Sequence, residues 1–264
     1  MARSTDRWSD WGSYETYVGR WSRRVAEGFL RWLDVVPNAR WLDVGCGTGA
    51  LSESILALAE PASVQGVDPS ADDVAHARAR GHDARAGFGI GDAMTLPFGA
   101  GTFDVAASGL VLNFVPEPAV AVREMARVTR PGATVAAYVW DYAGEMQLLR
   151  HFWNAAAALD PAAAELDEGV RFPMCRPRPL LQLFEAAGLR DVEARAIDVP
   201  TPFRDFDDYW TPFLGGQGPA PGYAMSLTDE GRARLRGRIA ASLPTGPNGS
   251  VDLMARAWAV RGTR

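Results

Sequence analysis

The chain has 264 residues, 47% of them hydrophobic and 22% charged, which is an ordinary globular composition able to bury a large core. It carries 27 basic residues against 32 acidic ones, a net charge of -5, and that acidic surplus argues against nucleic acid as a partner. Every basic residue is Arg, so lysine Schiff-base chemistry and a P-loop lysine are excluded.

From Arg40 to Asp141 short apolar runs alternate with helical stretches. Arg40–Val44 reads as a buried strand, Leu51–Leu58 as a helix, and Val64–Val67 as a second strand. Ala71–Arg80 reads as a helix capped by Ser70. Phe88–Ile90, Phe103–Ala107 and Ala133–Trp140 read as further strands, with a helix over Ala119–Thr129 stopped by Pro131 and Gly132. Such alternation implies an α/β chain with a mostly parallel, doubly wound sheet. Beyond Asp141 the spacing predicts an Ala-rich helix over Gly144–Leu159, irregular chain over Pro161–Pro179 and a helix over Leu180–Ala187. A strand at Val192–Val199, an aromatic stretch at Phe203–Leu214 and a loop over Gly215–Gly222 follow. A helix at Leu227–Leu243 and a last strand at Val251–Val260 complete the chain. This organisation divides into an N-terminal helical lid over 1–36, a cofactor-binding core over 37–141, and the remainder of the sheet over 142–264. The last part carries substrate-covering insertions at about 142–179 and 203–248.

The sharpest feature is Leu42-Asp-Val-Gly-Cys-Gly-Thr-Gly49, between the first strand and the first helix after it. Glycines at the carboxyl end of a strand let backbone approach a ligand closely. Asp68 ends the second strand, where an acid can accept from both hydroxyls of a ribose. Asp92 ends the third, where it can accept from an adenine amino group. Gly45, Gly47 and Ala50 also satisfy a loose dinucleotide fingerprint, so an NAD(P)-linked oxidoreductase is an alternative. Asp43 opposes it: a carboxylate two residues before the first glycine repels a diphosphate and attracts a sulfonium or ammonium. A third reading keeps the fold as a non-catalytic cofactor-binding interaction module.

Together with Gly66-Val-Asp68, Gly91-Asp-Ala-x-x-Leu-Pro-Phe98 and Phe103-Asp104, this order of motifs resembles class I S-adenosylmethionine-dependent methyltransferases. The nearest type is the small-molecule group similar to the ubiquinone/menaquinone-biosynthesis methyltransferases. The resemblance implies a Rossmann-like seven-stranded sheet of order 3-2-1-4-5-7-6 with the last strand antiparallel. It also implies in-line transfer of a methyl group from S-adenosylmethionine to oxygen, nitrogen or carbon, leaving S-adenosylhomocysteine. Carried onto this chain, Asp43, Gly45, Cys46 and Gly47 line the methionine part, and Asp68, Pro69 and Ser70 surround the ribose. Asp92 and Ala93 read adenine, and Ser108 and Gly109 approach the methionine tail. Tyr14, Tyr17, Arg20 and Trp21 form an aromatic, basic N-terminal stretch that reads either as a lid, with rings near the sulfonium and Arg20 near the methionine carboxylate, or as a helix docked on the sheet edge. Asn113-Phe114 departs from the aromatic or His that the family often has there. The Asn-Pro-Pro-aromatic motif of enzymes acting on planar amines is missing, and Ser108-Gly-Leu-Val stands in its place.

For a general base the candidates are Asp141, Tyr142 and His151, where strand ends meet the insertions. Phe203, Phe206, Tyr209, Trp210 and Phe213 read first as helix core and second as an apolar pocket, which favours an apolar or aromatic acceptor. They also offer area for a homodimer contact. Cys46 and Cys175 match no metal-ligand spacing and no disulfide framework, so no metal is expected. No apolar leader run lies between Met1 and Trp21, and no stretch approaches 18 apolar residues. The expectation is a cytoplasmic protein without a membrane span.

Overall fold

The computed structural model describes residues 19–80, 83–216 and 218–264. Its first helix, α1 (Arg20–Leu33), buries Val25, Phe29 and Leu33 at four-residue spacing, with Phe29 4.7 Å from Tyr138. Strand β1 (Arg40–Val44) leads to α2 (Ala50–Leu58), β2 (Ser63–Asp68) to α3 (Ala71–Arg80), and β3 (Ala86–Ile90) to β4 (Phe103–Gly109). Helix α4 (Pro118–Val128) begins at a proline whose missing N–H costs nothing in a first turn, and β5 (Thr129–Trp140) follows at once. Beyond it lie α5 (Gln147–Leu159), the four-residue α6 (Glu168–Arg171), α7 (Pro177–Ala186) and β6 (Arg190–Phe203). Then come α8 (Phe206–Trp210), α9 (Pro219–Ser226), α10 (Asp229–Ser242) and β7 (Val251–Thr263).

The seven strands form one sheet of order β3-β2-β1-β4-β5-β7-β6, as the resemblance implies. Pairings from β3 through β5 are parallel. Gly132 N donates to Arg264 O and Asp141 N to Arg256 O, so β7 runs antiparallel to β5. The ion pairs Arg261–Glu193 and Arg256–Asp198 give the same antiparallel sense against β6. Buried on both faces, β1 is apolar apart from Arg40 and Asp43, as a central parallel strand requires. Asp104, at the amino end of β4, accepts from Arg40 and Arg130, and these guanidinium bonds hold its carboxyl well below the usual range.

Contact clustering divides the chain into two compact units. One holds Arg23–Val139, Arg176–Ile197 and Trp258–Arg264; the other holds Trp140–Cys175, Asp198–Ala257 and the described residues 19–22. The core of the second is aromatic. Phe152 stacks on Phe213 at 4.5 Å, Tyr209 lies 5.4 Å from both Phe203 and Phe213, and the Tyr209 hydroxyl donates to Leu148 O at 2.9 Å. Phe203, Tyr209, Trp210 and Phe213 are all buried, so these rings are core, as the first reading had it.

Three local expectations are corrected. Pro131 and Gly132 do not stop a helix; they lie inside β5, which starts at Thr129 and pairs with the end of β7. The stretch Gly215–Gly222 is not all loop: Gly218, at φ 87°, starts α9, with Pro219 in its first turn. Pro161–Pro179 is not irregular. Asp160 caps a 3-10 turn over Pro161–Leu166, Asp167 caps α6, and α7 begins at Pro177.

Candidate active site

Strand β1 ends by burying a carboxylate. Asp43 is fully buried, and its Oδ2 accepts from the Ser52 hydroxyl at 2.7 Å, tying the strand to the first turn of α2. Its Oδ1 has no partner among the described residues. Burial, opposed by the Ser52 bond and helped by the nearby Asp68 charge, pushes the Asp43 carboxyl up to about 7.

The glycine loop is then folded onto the end of β2. Gly45 N and Cys46 N both donate to Val67 O, at 2.8 and 3.0 Å, and Gly47 N donates to Asp68 Oδ2 at 3.0 Å. Asp68 Oδ1 accepts from Ser70 N at 2.9 Å, so one carboxylate braces the loop and the entry to α3. Burial raises the Asp68 carboxyl above its ordinary value. Gly45 sits at φ 75°, and a Cβ there would lie 2.4 Å from Val111 Cγ1, so only glycine fits. The Cys46 thiol is buried, and burial raises its pKa, which makes it packing and not a nucleophile.

The other members of the set close around the same strand ends. Ser70 Oγ accepts from Asp73 N at 3.2 Å, the expected cap of α3, and Pro69 beside it is exposed. Asp92 follows β3, is exposed, and accepts from Met94 N at 2.8 Å; Ala93 beside it is buried. Ser108 is buried, with its hydroxyl on Val44 O at 2.8 Å. Gly109 faces the Tyr138 hydroxyl, which a Cβ would meet at 2.5 Å. The structure thus brings Asp43, Gly45, Cys46, Gly47, Asp68, Ser108 and Gly109 to the carboxyl ends of three neighbouring strands, β2-β1-β4, with Asp92 and Ala93 after β3.

One residue at this edge was missing from the sequence-based set. After β4, Leu110 takes φ 62°, the Val111 side chain packs on Gly45, and Leu112–Phe114 make one 3-10 turn. Asn113 on that turn is buried, and neither of its amide atoms has a partner among the described residues. Buried amides are normally satisfied, so this one calls for a ligand or a water. Its sequence signal was a neutral amide where the family often has an aromatic or His.

The remaining candidates belong to the second unit. Asp141 follows β5 and spends Oδ1 on Gly144 N at 3.1 Å and Oδ2 on Glu145 N at 3.0 Å, holding the turn before α5. Tyr142 is buried, its ring 5.6 Å from that of Phe172. His151, half-buried on α5, has its pKa lowered by burial and is neutral at neutral pH. Arg20 donates to Asp208 Oδ1 at 3.3 Å and Pro202 O at 3.2 Å, with its guanidinium 4.8 Å from the Phe203 ring centre. Tyr17 lies outside the described residues.

Residues 42–137 match a family described as a methyltransferase domain. The 2-methyl-6-phytyl-1,4-hydroquinone methyltransferase of Synechocystis is 29% identical over 243 residues, covering 83% of this chain and 74% of the relative. The demethylmenaquinone methyltransferase of a Roseiflexus species is 35% identical over 173 residues, covering 60% and 71%. Among solved structures, phosphoethanolamine N-methyltransferase 2 of Haemonchus contortus, in complex with phosphomonomethylethanolamine and S-adenosylhomocysteine, aligns with a TM-score of 0.60 at 15% identity. That alignment covers 96% of this chain and 56% of the other. The glycine loop, the acids at the strand ends, the strand order and these matches agree: the chain belongs to the class I S-adenosylmethionine-dependent methyltransferases. Its methyl donor is S-adenosylmethionine, and the nicotinamide reading falls away. Among the described residues no helix is long and apolar enough to cross a membrane.

Proposed function

We propose that the carboxyl ends of β1 to β4 hold S-adenosylmethionine and that the acceptor is a small, apolar, hydroxylated aromatic ring. The observation that carries the donor site is Asp43: a buried carboxylate with one oxygen on Ser52 and the other without a partner among the described residues. A cationic, phosphate-free nucleoside offsets that charge; a diphosphate would add to it. In this reading Asp43, Gly45, Cys46 and Gly47 line the methionine part, and Asp68, Pro69 and Ser70 surround the ribose. Asp68 serves two purposes, because each carboxylate oxygen has a second lone pair beyond its backbone amide. Asp92 and the Ala93 amide read the base, and Ser108 and Gly109 face the methionine tail. Arg20 and Tyr17 belong to this reading through the sequence alone, as candidates for the donor's carboxylate and sulfonium.

S-adenosylmethionine supplies a methyl group already activated on sulfonium. The chain's own task is to exclude water and align the acceptor, effects that contribute up to about 7–11 kcal/mol in the best oriented systems. Asn113 orients the acceptor, its amide offering one donor and one acceptor face to a ring hydroxyl. The second unit holds the candidates for a general base, Asp141, Tyr142 and His151: burial keeps His151 neutral and able to accept, and Asp141 keeps a lone pair on each oxygen beyond its turn bonds. Relatives named for 2-methyl-6-phytyl-1,4-hydroquinone and demethylmenaquinone support an acceptor of hydroquinone type. The segments at 142–179 and 203–248, outside the matched 42–137, carry the choice among such acceptors.

Calorimetry with S-adenosylhomocysteine tests the donor site. Asp68→Ala removes charge-assisted bonds of about 1.5–3 kcal/mol each, so affinity falls at least about tenfold. Unchanged affinity in that variant would retire the assignment.

A further inference from the structure

Between β3 and β4 the chain runs through Asp92 and Ala93 to Phe98, and its path is written by side chains of α4. Arg127 donates through Nη1 to Phe98 O at 2.8 Å and through Nη2 to Leu96 O at 3.1 Å. Glu124, one turn earlier, accepts from Leu96 N at 2.9 Å through Oε2 and takes the Arg127 Nε at 2.6 Å through Oε1. The Arg127 bond lowers the Glu124 carboxyl, and the same bond raises Arg127, so both stay charged through any working pH. Leu96 is buried and Phe98 meets Phe103 edge-on at 4.9 Å. The clamp reaches Asp92 through a tight turn: Asp92 pairs with Thr95, and Thr95 N donates to Asp92 O at 3.0 Å. A pair serving surface stability alone would bond side chain to side chain. This one adds to its side-chain bonds three bonds to loop backbone, at Leu96 and Phe98.

We propose that Glu124 and Arg127 are positioning residues for recognition of the donor's base: they hold Leu96 and Phe98 so that Asp92 is set to accept from an adenine amino group and the Ala93 amide to donate to a ring nitrogen beside it. This rests on the reading of Asp92 and Ala93 given above. Asp92 is held in its own turn by Met94 N and Thr95 N, and the far side of that turn is anchored by the side chains of α4. The clamp acts on discrimination between bases and leaves the rest of the donor site, held by Asp43 and Asp68, in place.

The test is competition between S-adenosylhomocysteine and S-inosylhomocysteine, whose base carries a carbonyl oxygen in place of the amino group. The unmodified protein should favour the adenosyl compound by about tenfold or more, the worth of a hydrogen bond to a charged group. In Asp92→Ala that preference collapses towards one. In Arg127→Met it collapses as well, and the double variant loses no more than either single one. Arg127→Lys, which keeps the charge but cannot span both carbonyls, falls between, and decides the matter should Arg127→Met fail to fold. A preference kept in Arg127→Met or Arg127→Lys while Asp92→Ala loses it overturns the clamp and leaves the base-reading role of Asp92 standing. A preference kept in Asp92→Ala overturns both. A lowered melting temperature with an unchanged preference marks the pair as structural only and overturns the proposal.

Discussion

The two units bury carboxylates in opposite ways. In the second, Glu168 is buried with the Trp153 indole N–H donating to it, and beside it Asp167 takes both Arg150 Nη atoms and the Gly169 amide. In the first, Asp43 is equally buried but keeps one oxygen unpaired among the described residues, and Asn113 keeps its whole amide unpaired. Both carboxyls are pushed up to about 7 by burial, so desolvation alone does not tell them apart. The partners do. A buried group closed by its own chain builds the fold, and one left open is a place for something else.

The largest expected effect sharpens the Glu168 side of that contrast. Its unfolded-state pKa is near 4.5 and its folded value about 7. The folded protein therefore holds a proton that the unfolded chain has lost, and stability falls as pH rises from 4.5 through 7. The span is worth about 3 kcal/mol, and Glu168→Gln should remove it from a urea-denaturation series run across that range. Asp43 contributes in the same direction, so Glu168→Gln flattens the profile in part and leaves a remainder. A profile unaltered by Glu168→Gln would show that this carboxyl titrates as it does in water.

A smaller effect tests the open side. Replacing an unsatisfied buried amide by an apolar side chain of similar size removes a desolvation cost of about 1–3 kcal/mol. Asn113→Leu should therefore raise the melting temperature of the ligand-free protein while lowering methylation of a short-chain 1,4-hydroquinone. S-adenosylhomocysteine affinity should stay within about twofold if the amide serves the acceptor, as proposed. A lower melting temperature would mean that Asn113 has a structural partner.

Much of this was legible before the fold was seen. The succession of β1 to β5 along the chain and the Ser70 cap follow from local periodicity and spacing, and the sheet order from the family resemblance. What escaped depends on distant partners. Thr129–Gly132 became strand because the Arg264 backbone pairs with it, and nothing near Pro131 announces a residue at the far terminus. Gly218 and Pro219, read as loop residues, are equally the start signals of a helix, and they stand at the N-cap and first turn of α9. Asp141 ends a strand, and its two bonds to the Gly144 and Glu145 amides, which hold the turn before α5, have no sequence signal. Asn113 stands out in the sequence only as a departure from the family pattern, because burial without a partner is invisible there. The Glu124–Arg127 clamp was hidden for the same reason: its bonds go to backbone atoms nearly thirty residues away in the chain.

Asp43, with one oxygen on Ser52 and the other without a partner among the described residues, is suited to a cation. The direct measurement is calorimetric titration of S-adenosylhomocysteine, whose amino group carries positive charge, into the protein and into Asp43→Asn from pH 6 to pH 8. With the Asp43 carboxyl at about 7, affinity for the unmodified protein should rise across that range as the proton leaves, and the Asn variant should bind more weakly with a flat profile. Equal affinities and equal slopes in the two proteins would contradict the account.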